Sequence, residues 1–214
     1  IIDTVRRLDQ NIKPVIVVGH KKERIEEVFG KDHTYALQEE QLGTGHAVKS
    51  AKNFIDDGKD GVVLVISADQ PFVSKETLEL LIQTHLEKKP TITLGTIEVP
   101  DFLEWRSGMN GFGRVVRRED GSVEKIIEFR DATPQEQKIK EVNPALYVFD
   151  AKWLYENIDK LHNQNDQAEY LLTDLVHIAF DQNKKIEAVP LANIMEGIQP
   201  NSKEDLEILE NLLE

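Results

Sequence analysis

The chain has 214 residues, 40% of them hydrophobic, no cysteine and a formal net charge of −13. Length and composition suit one globular domain of the larger kind, and the missing thiols exclude disulfides, thiolate metal sites and cysteine nucleophiles, as expected of a cytoplasmic protein. The acid excess repels a nucleic-acid backbone and is spread along the chain, so a phosphate-bearing ligand needs a local basic pocket or a metal ion.

No apolar run reaches the ~20 residues of a membrane span, and Asp3, Arg6 and Arg7 come too early for a signal peptide. Ile1, Ile2, Val5 and Leu8 repeat at helical spacing with no cap before them, so the sequence opens in mid-helix and something N-terminal is expected to be missing. Residues 14–19 (PVIVVG) form a continuous apolar run, the pattern of a strand buried on both faces. A helix follows over 22–29, with Ile25, Val28 and Phe29 on one face, then a short strand over 34–37 and a helix over 45–52. Residues 61–67 (GVVLVIS) are the strongest strand. Ser74 opens a helix by capping chemistry, Leu78, Leu81 and Ile82 carry it to residue 88, and 91–99 is a further strand. This βαβα order predicts a Rossmann-like α/β fold: a mostly parallel sheet with helices on both faces.

The order breaks after Pro100. Residues 102–110 read as irregular, and 113–117 and 123–127 flank a polar turn as a β-hairpin, inserted over the ligand edge of the sheet. A strand over 142–149, helices over 151–158 and 170–182, a strand over 186–189 and an amphipathic helix over 203–213 complete the chain.

Three places carry chemistry. In the segment 38–47, QEEQLGTGHA, a strand end meets a helix start. Glycines and a threonine there let backbone pass close to a flat or anionic ligand and leave amides free; they serve turn geometry and capping equally well. Asp69 sits just past the C-terminal end of the strongest strand, where open α/β sheets bind ligands. A carboxylate there suits a hard divalent cation, or simply turns the chain before Pro71. Asn143 lies within an apolar strand and needs a partner, either a ligand or an internal hydrogen bond.

The run LQEEQLGTGHA resembles the uridine-recognition loop of the bacterial N-acetylglucosamine-1-phosphate uridylyltransferases, and the similarity continues in order through nearly the whole chain. The resemblance implies a single nucleotidyltransferase domain over 1–214. It would join UTP and N-acetylglucosamine 1-phosphate into UDP-N-acetylglucosamine, a cell-wall precursor, with release of pyrophosphate and with magnesium neutralising the phosphates. It gives nucleotide-binding roles to Gln38, Gly43 and Thr44, the Gln38 amide matching the donor and acceptor of the uracil edge. ADQPF (68–72) resembles the family's GDxPL segment, whose aspartate binds magnesium, so Asp69 takes that role, although Ala68 replaces the usual glycine. GFGR (111–114) resembles a YGR segment whose glycine faces the N-acetyl region of the sugar, which points to Gly113. IIEFRDAT (126–133) resembles IVExxDAT, so Glu128 would accept hydrogen bonds from sugar hydroxyls. EVNPA (141–145) resembles E-[IV]-N-x-G and puts Asn143 on the sugar, with Ala145 in place of the glycine. QAEYLLTD (167–174) resembles the QxEYYLTD helix start and reads equally as a cap and staple. GIQPNS (197–202) replaces a shorter GVN; counting back from Leu206 makes Asn201 the second magnesium ligand, and counting forward from Gly197 makes it Gln199.

The family's first strand and its glycine-rich triphosphate loop have no counterpart here, so the 214-residue chain alone is expected to be inactive. The acetyltransferase half of the bifunctional members is likewise not found, and no hexapeptide repeat precedes Glu214. No nucleic-acid or membrane partner is expected, and a homo-oligomer would form through a region outside this chain. Two alternatives stand beside this reading. One is another nucleotidyltransferase of the same fold, cytidylyl-, thymidylyl- or molybdopterin-type, which Asp69-Gln70-Pro71 suits as well. The other is a non-catalytic sugar-nucleotide binding module.

Overall fold

The apolar runs become strands and the 3.6-periodic segments become helices, in a computed structural model that describes residues 1–9, 11–30, 33–55, 61–200 and 202–213. In chain order these are α1 (Ile2–Leu8), β1 (Val15–Val18), α2 (Lys22–Phe29), β2 (Thr34–Leu37), α3 (Thr44–Ser50), β3 (Val62–Ile66), α4 (Lys75–Lys88) and β4 (Ile92–Glu98). Then come β5 (Arg114–Arg117), β6 (Val123–Ile127), β7 (Glu141–Val142), β8 (Leu146–Asp150), α5 (Ala151–Asn157), α6 (Asp174–Asp181), β9 (Ile186–Pro190) and α7 (Lys203–Leu213). Among the described residues no helix is long and apolar enough to cross a membrane.

Helix α4 follows its sequence signals closely. The Ser74 hydroxyl accepts from the Thr77 amide at 3.1 Å, Glu76 lies in the first turn and Lys88 in the last, and Lys89 ends the helix in a left-handed conformation (φ 48°). Its inner face buries Leu78, Leu81 and His85. The His85 ring stands 3.0 Å from the Thr93 hydroxyl, and burial holds its pKa below the usual value.

Strand β8 separates the two cores. Leu146 and Val148 point into one with Leu78, Leu81 and Ile97; Tyr147 and Phe149 point into the other with Trp153, Leu154, Leu175 and Val176. Each such side chain, fully buried, contributes roughly 1.5–3 kcal/mol. Helices therefore cover both faces, as the βαβα order predicts.

The sheet is not mostly parallel. β3, β4 and β9 share one direction, but β8 runs against them between β3 and β4, and β5, β6 and β7 extend the sheet by antiparallel pairing. The reason is the hairpin. It carries the chain beyond the end of β4, so the chain re-enters along β4 in reverse. The expected strand over 142–149 is also broken in two. β7 pairs with β4 at Ile97↔Val142, and β8 pairs at Leu94↔Tyr147, so the Asn143–Ala145 stretch bulges out. The irregular stretch after Pro100 contains a 3₁₀ segment, Glu104–Gly111.

β1 and β2 form a separate parallel pair, Val15↔Thr34 to Val18↔Leu37. Among the described residues, the second edge of β1 and the outer edge of β3 pair with no strand. Both edges line one cleft of about 1530 Å³, joined by Ile25, Val28 and Phe29 from α2. This corrects one expectation: β1 is not buried on both faces, with only Val18 fully covered. Helix α2 keeps Ile25, Val28 and Phe29 on the cleft side but buries no residue, Val28 remaining 76% exposed.

Candidate active site

The glycine-rich segment packs against a second loop. Tyr170 N–H donates to Leu42 O at 2.8 Å, Gly45 N–H donates to Tyr170 O at 2.8 Å, and Leu172 N–H donates to the Thr44 hydroxyl at 3.0 Å. These bonds use the backbone of residues 170–172, so the predicted helix over 170–182 starts at Asp174 instead. They also set the glycine requirement. A Cβ on Gly43 (φ 103°) would lie 2.6 Å from Tyr170 O, and one on Gly45 would lie 2.4 Å from Leu161 Cδ1. Here glycine lets two protein loops meet; Gly43 itself does not line the cleft, whereas Thr44 does and starts α3.

Gln38 is buried at the end of β2 and lines the cleft. Its Nε2 donates to Gly43 O at 3.1 Å and lies 3.1 Å from His46 Nδ1. The side-chain donor is thus spent on bracing the loop. The amide oxygen is the part left for a ligand, so the donor-plus-acceptor match needs the amide to exchange its Gly43 bond.

Asp69 lines the cleft just beyond β3; the residue is exposed, and the partial burial of its carboxyl raises its pKa. Among the described residues no trio of His, Asp and Glu gathers to hold a metal. A cation on Asp69 would therefore draw its other oxygens from a ligand, which is how magnesium is held with phosphates. The cleft's own cations among the described residues are Arg6 and Lys13. With a net charge of −13, that is little counter-charge for a triphosphate. Beside Asp69, the amide oxygen of fully buried Gln70 has no partner in the described structure. Asn201 lies outside the described residues; Gln199 lines the cleft.

The hairpin side supplies Gly113, Glu128 and Asn143. Gly113 is buried against β6: a Cβ there would lie 2.8 Å from Ile126 Cγ2 and 3.6 Å from Glu128 Oε2. Glu128 Oε1 accepts from the Thr173 hydroxyl at 2.8 Å. Burial raises the Glu128 pKa, the Thr173 bond opposes that, and the charges of Asp174, Asp131 and Glu169 add to the rise. The 167–174 segment thus does not cap α6 through Thr173, whose hydroxyl faces Glu128. Thr173 is a cleft residue that the capping reading passes over; its only signal is its place inside the QAEYLLTD run.

Asn143 has the internal partners that one of its readings requires, and it also lines the cleft. Its Nδ2 donates to the buried Tyr147 hydroxyl at 2.7 Å, and its Oδ1 accepts from Ala145 N–H at 3.1 Å. Ala145 adopts φ 61°, the left-handed region that a glycine enters freely and that costs another residue roughly 1–2 kcal/mol. The backbone expected of a glycine is kept with alanine in its place.

Arg114 holds this side together. Fully buried, it donates to the carbonyls of Asn110 and Phe112, to Asn110 Oδ1 and to Gln137 O. Its guanidinium lies 4.7 Å and 4.9 Å from the ring centres of Phe102 and Phe129. Carbonyl dipoles and two ring faces replace water around the charge, and the 3₁₀ segment, the hairpin and the 129–137 loop are fixed to one another.

One cleft thus gathers Gln38, Thr44, Asp69, Gly113, Glu128 and Asn143 from five separate stretches of chain. It presents acceptor carboxylates, amides and hydroxyls at the ends of β2, β3 and β6, a set suited to a polyhydroxyl phosphate ester with a cation.

Residues 6–193 match the sequence pattern of the family described as Nucleotidyl transferase. The chain is 43% identical over 194 residues to the bifunctional protein GlmU of Clostridium acetobutylicum, covering 88% of this chain and 40% of that protein. It is 39% identical over 191 residues to the protein of the same name from Bacillus velezensis, and 40% identical over 216 residues to that of Clostridium perfringens. Those alignments cover 89% and 100% of this chain, against 40% and 45% of the two relatives. In three dimensions the chain resembles 4-diphosphocytidyl-2C-methyl-D-erythritol synthase from Anaerococcus prevotii. The TM-score is 0.64 at 17% identity, covering 99% of this chain and 86% of that one, a likeness of fold.

Proposed function

The chain belongs to the nucleotidyl transferase family, and from that membership we propose that it forms UDP-N-acetylglucosamine from UTP and N-acetylglucosamine 1-phosphate. An oxygen of the sugar phosphate attacks the α-phosphorus of UTP in line. One P–O bond forms, the bond to the β-phosphate oxygen breaks, and pyrophosphate leaves. The supporting observation is the single cleft that joins the Gln38–Thr44 loop to Glu128, Asn143 and Gly113, with Asp69 lining it just beyond β3. Glu128, oriented by Thr173, is the acceptor for sugar hydroxyls. Gln38 and Thr44 take the base side. Asp69 would hold magnesium, whose charge offsets the phosphates. Both substrates are soluble and the chain has no cysteine, which accords with a cytoplasmic setting.

The open slot between β1 and β3 belongs to this reading. We assign it to one further extended strand, because among the described residues neither flanking edge pairs with a strand and the lining is mostly apolar. Such a strand would end beside Asp69, where a phosphate-binding loop is wanted.

The test is a substrate matrix on the protein as its gene encodes it. Pyrophosphate release is followed with UTP, CTP and dTTP against N-acetylglucosamine 1-phosphate, glucose 1-phosphate and methylerythritol phosphate. Fastest turnover with UTP and N-acetylglucosamine 1-phosphate is expected. A preference for CTP or dTTP would replace the uridylyl assignment, and no turnover with any pair would favour a binding module.

A further inference from the structure

The bulge between β7 and β8 is held by a device outside the ligand set described above. The Pro144 carbonyl accepts hydrogen bonds from two glutamines, Gln70 Nε2 and Gln199 Nε2, the latter at 3.0 Å. The N–H of the same peptide unit, that of Ala145, donates to Asn143 Oδ1 at 3.1 Å. One peptide plane is therefore pinned on both sides. Its orientation matters because Ala145 is held at φ 61°, and turning the plane over would return alanine to an ordinary conformation. The flip would also take the Ala145 N–H away from Asn143, whose carboxamide would lose one of the two bonds that aim it. Gln70 is wholly buried, follows Asp69 directly, and has Nε2 as the bonded end of its amide. Gln199 comes from the loop after Gly197, so three separate loops meet on one carbonyl oxygen.

We propose that Gln70 and Gln199 form a clamp on the Pro144–Ala145 peptide and act as positioning residues for Asn143. They set the sugar side of the cleft while Asp69 serves the phosphate side. Gln199 Nε2 then serves the clamp, a role separate from the metal-ligand one that counting forward from Gly197 gives the residue. The assignment rests on the sugar-phosphate reading of the cleft; the clamp itself rests on the hydrogen bonds and the Ala145 backbone.

The clamp predicts a rescue that simple loss of packing does not. Glycine at 145 removes the reason for the peptide to flip, so it should restore a site that has lost one glutamine. Kinetics are measured for Gln70→Ala, Gln199→Ala, and each combined with Ala145→Gly, using the nucleotide and sugar phosphate that the wild type turns over fastest. Each single glutamine variant should raise KM for the sugar phosphate roughly tenfold, about 1.4 kcal/mol. KM for the nucleotide should stay within about twofold, and Ala145→Gly should recover most of the sugar-phosphate loss. The magnesium concentration for half-maximal rate should not move in Gln199→Ala. Failure of the rescue, equal losses for both substrates, or a tenfold shift in the magnesium requirement would overturn the clamp. If Gln70→Ala does not fold, half-buried Gln199 carries the same test. A wild type that prefers another sugar phosphate would sink the substrate assignment and leave the clamp to be judged with that sugar.

Discussion

Thr173 Oγ1 donates to Glu128 Oε1 across 2.8 Å, tying the start of α6 to the end of the hairpin. The bond favours the ionised acid, but burial is the larger influence and the Glu128 pKa is raised in the folded protein. A raised folded pKa means that the native state holds the proton more tightly than the unfolded chain. That contribution to stability is complete below the unfolded value of 4.5 and is lost as pH rises through the folded value. Glu128→Gln should therefore unfold at higher urea than the wild type at pH 7, with the gap narrowing as pH falls through the folded value and closed once pH is below 4.5. Sugar-phosphate affinity should fall roughly tenfold or more, since a charged acceptor is lost. A gap that does not depend on pH would show that Glu128 is well solvated when folded.

Glycines 43 and 45 should be structural before they are functional. Gly43→Ala and Gly45→Ala each drive a Cβ into the 161–171 region, so each should cost about 2 kcal/mol or more in urea unfolding. Gly121 has φ 82° but open space around it, and Gly121→Ala should cost only about 1 kcal/mol. If all three cost the same, the loop contact is not the reason for glycine at 43 and 45.

Asp69→Asn keeps the side chain's size and removes its charge. In the complete enzyme it should lower turnover by two orders of magnitude or more, roughly 3 kcal/mol of transition-state stabilisation. The urea midpoint should hold or rise, because a desolvated carboxylate is removed. Chelation of magnesium should stop the wild type and leave the residual rate of Asp69→Asn little changed. Matching losses of rate and stability would make Asp69 a turn residue only.

Gln38→Ala should weaken UTP binding roughly tenfold and leave sugar-phosphate binding nearly unchanged. The bond from Nε2 to Gly43 O adds a second expectation. Gln38→Glu, which puts an acceptor against that carbonyl, should be worse than Gln38→Ala for both folding and UTP. Paired titrations with UTP and the sugar phosphate decide the matter; equal weakening of both ligands would make Gln38 a brace alone.

The sequence carries most of the elements because their signals are local. Ser74 caps α4, apolar runs mark β3 and β4, and the polar turn after Arg117 marks the hairpin. The direction of β8 is not local, since it follows from where the hairpin delivers the chain. The late start of α6 is not local either, because it depends on Tyr170 and Leu172 finding Leu42 and Thr44 some 128 residues away. The candidate site residues are legible by type at Asp69, Glu128 and Asn143. Thr173, 45 residues from Glu128, is visible as its partner only once the tertiary contact brings the two together.

Among the described residues, the edges of β1 and β3 that pair with no strand have a colloidal meaning as well. These two rows of backbone donors and acceptors, bordered by exposed Val28, Phe29, Phe54 and Val62, form a template on which identical chains can stack edge to edge. The net charge of −13 opposes that stacking at low ionic strength and weakens as salt screens it. The isolated domain should therefore stay dispersed in dilute buffer and turn sticky in concentrated salt, unless the slot is already filled.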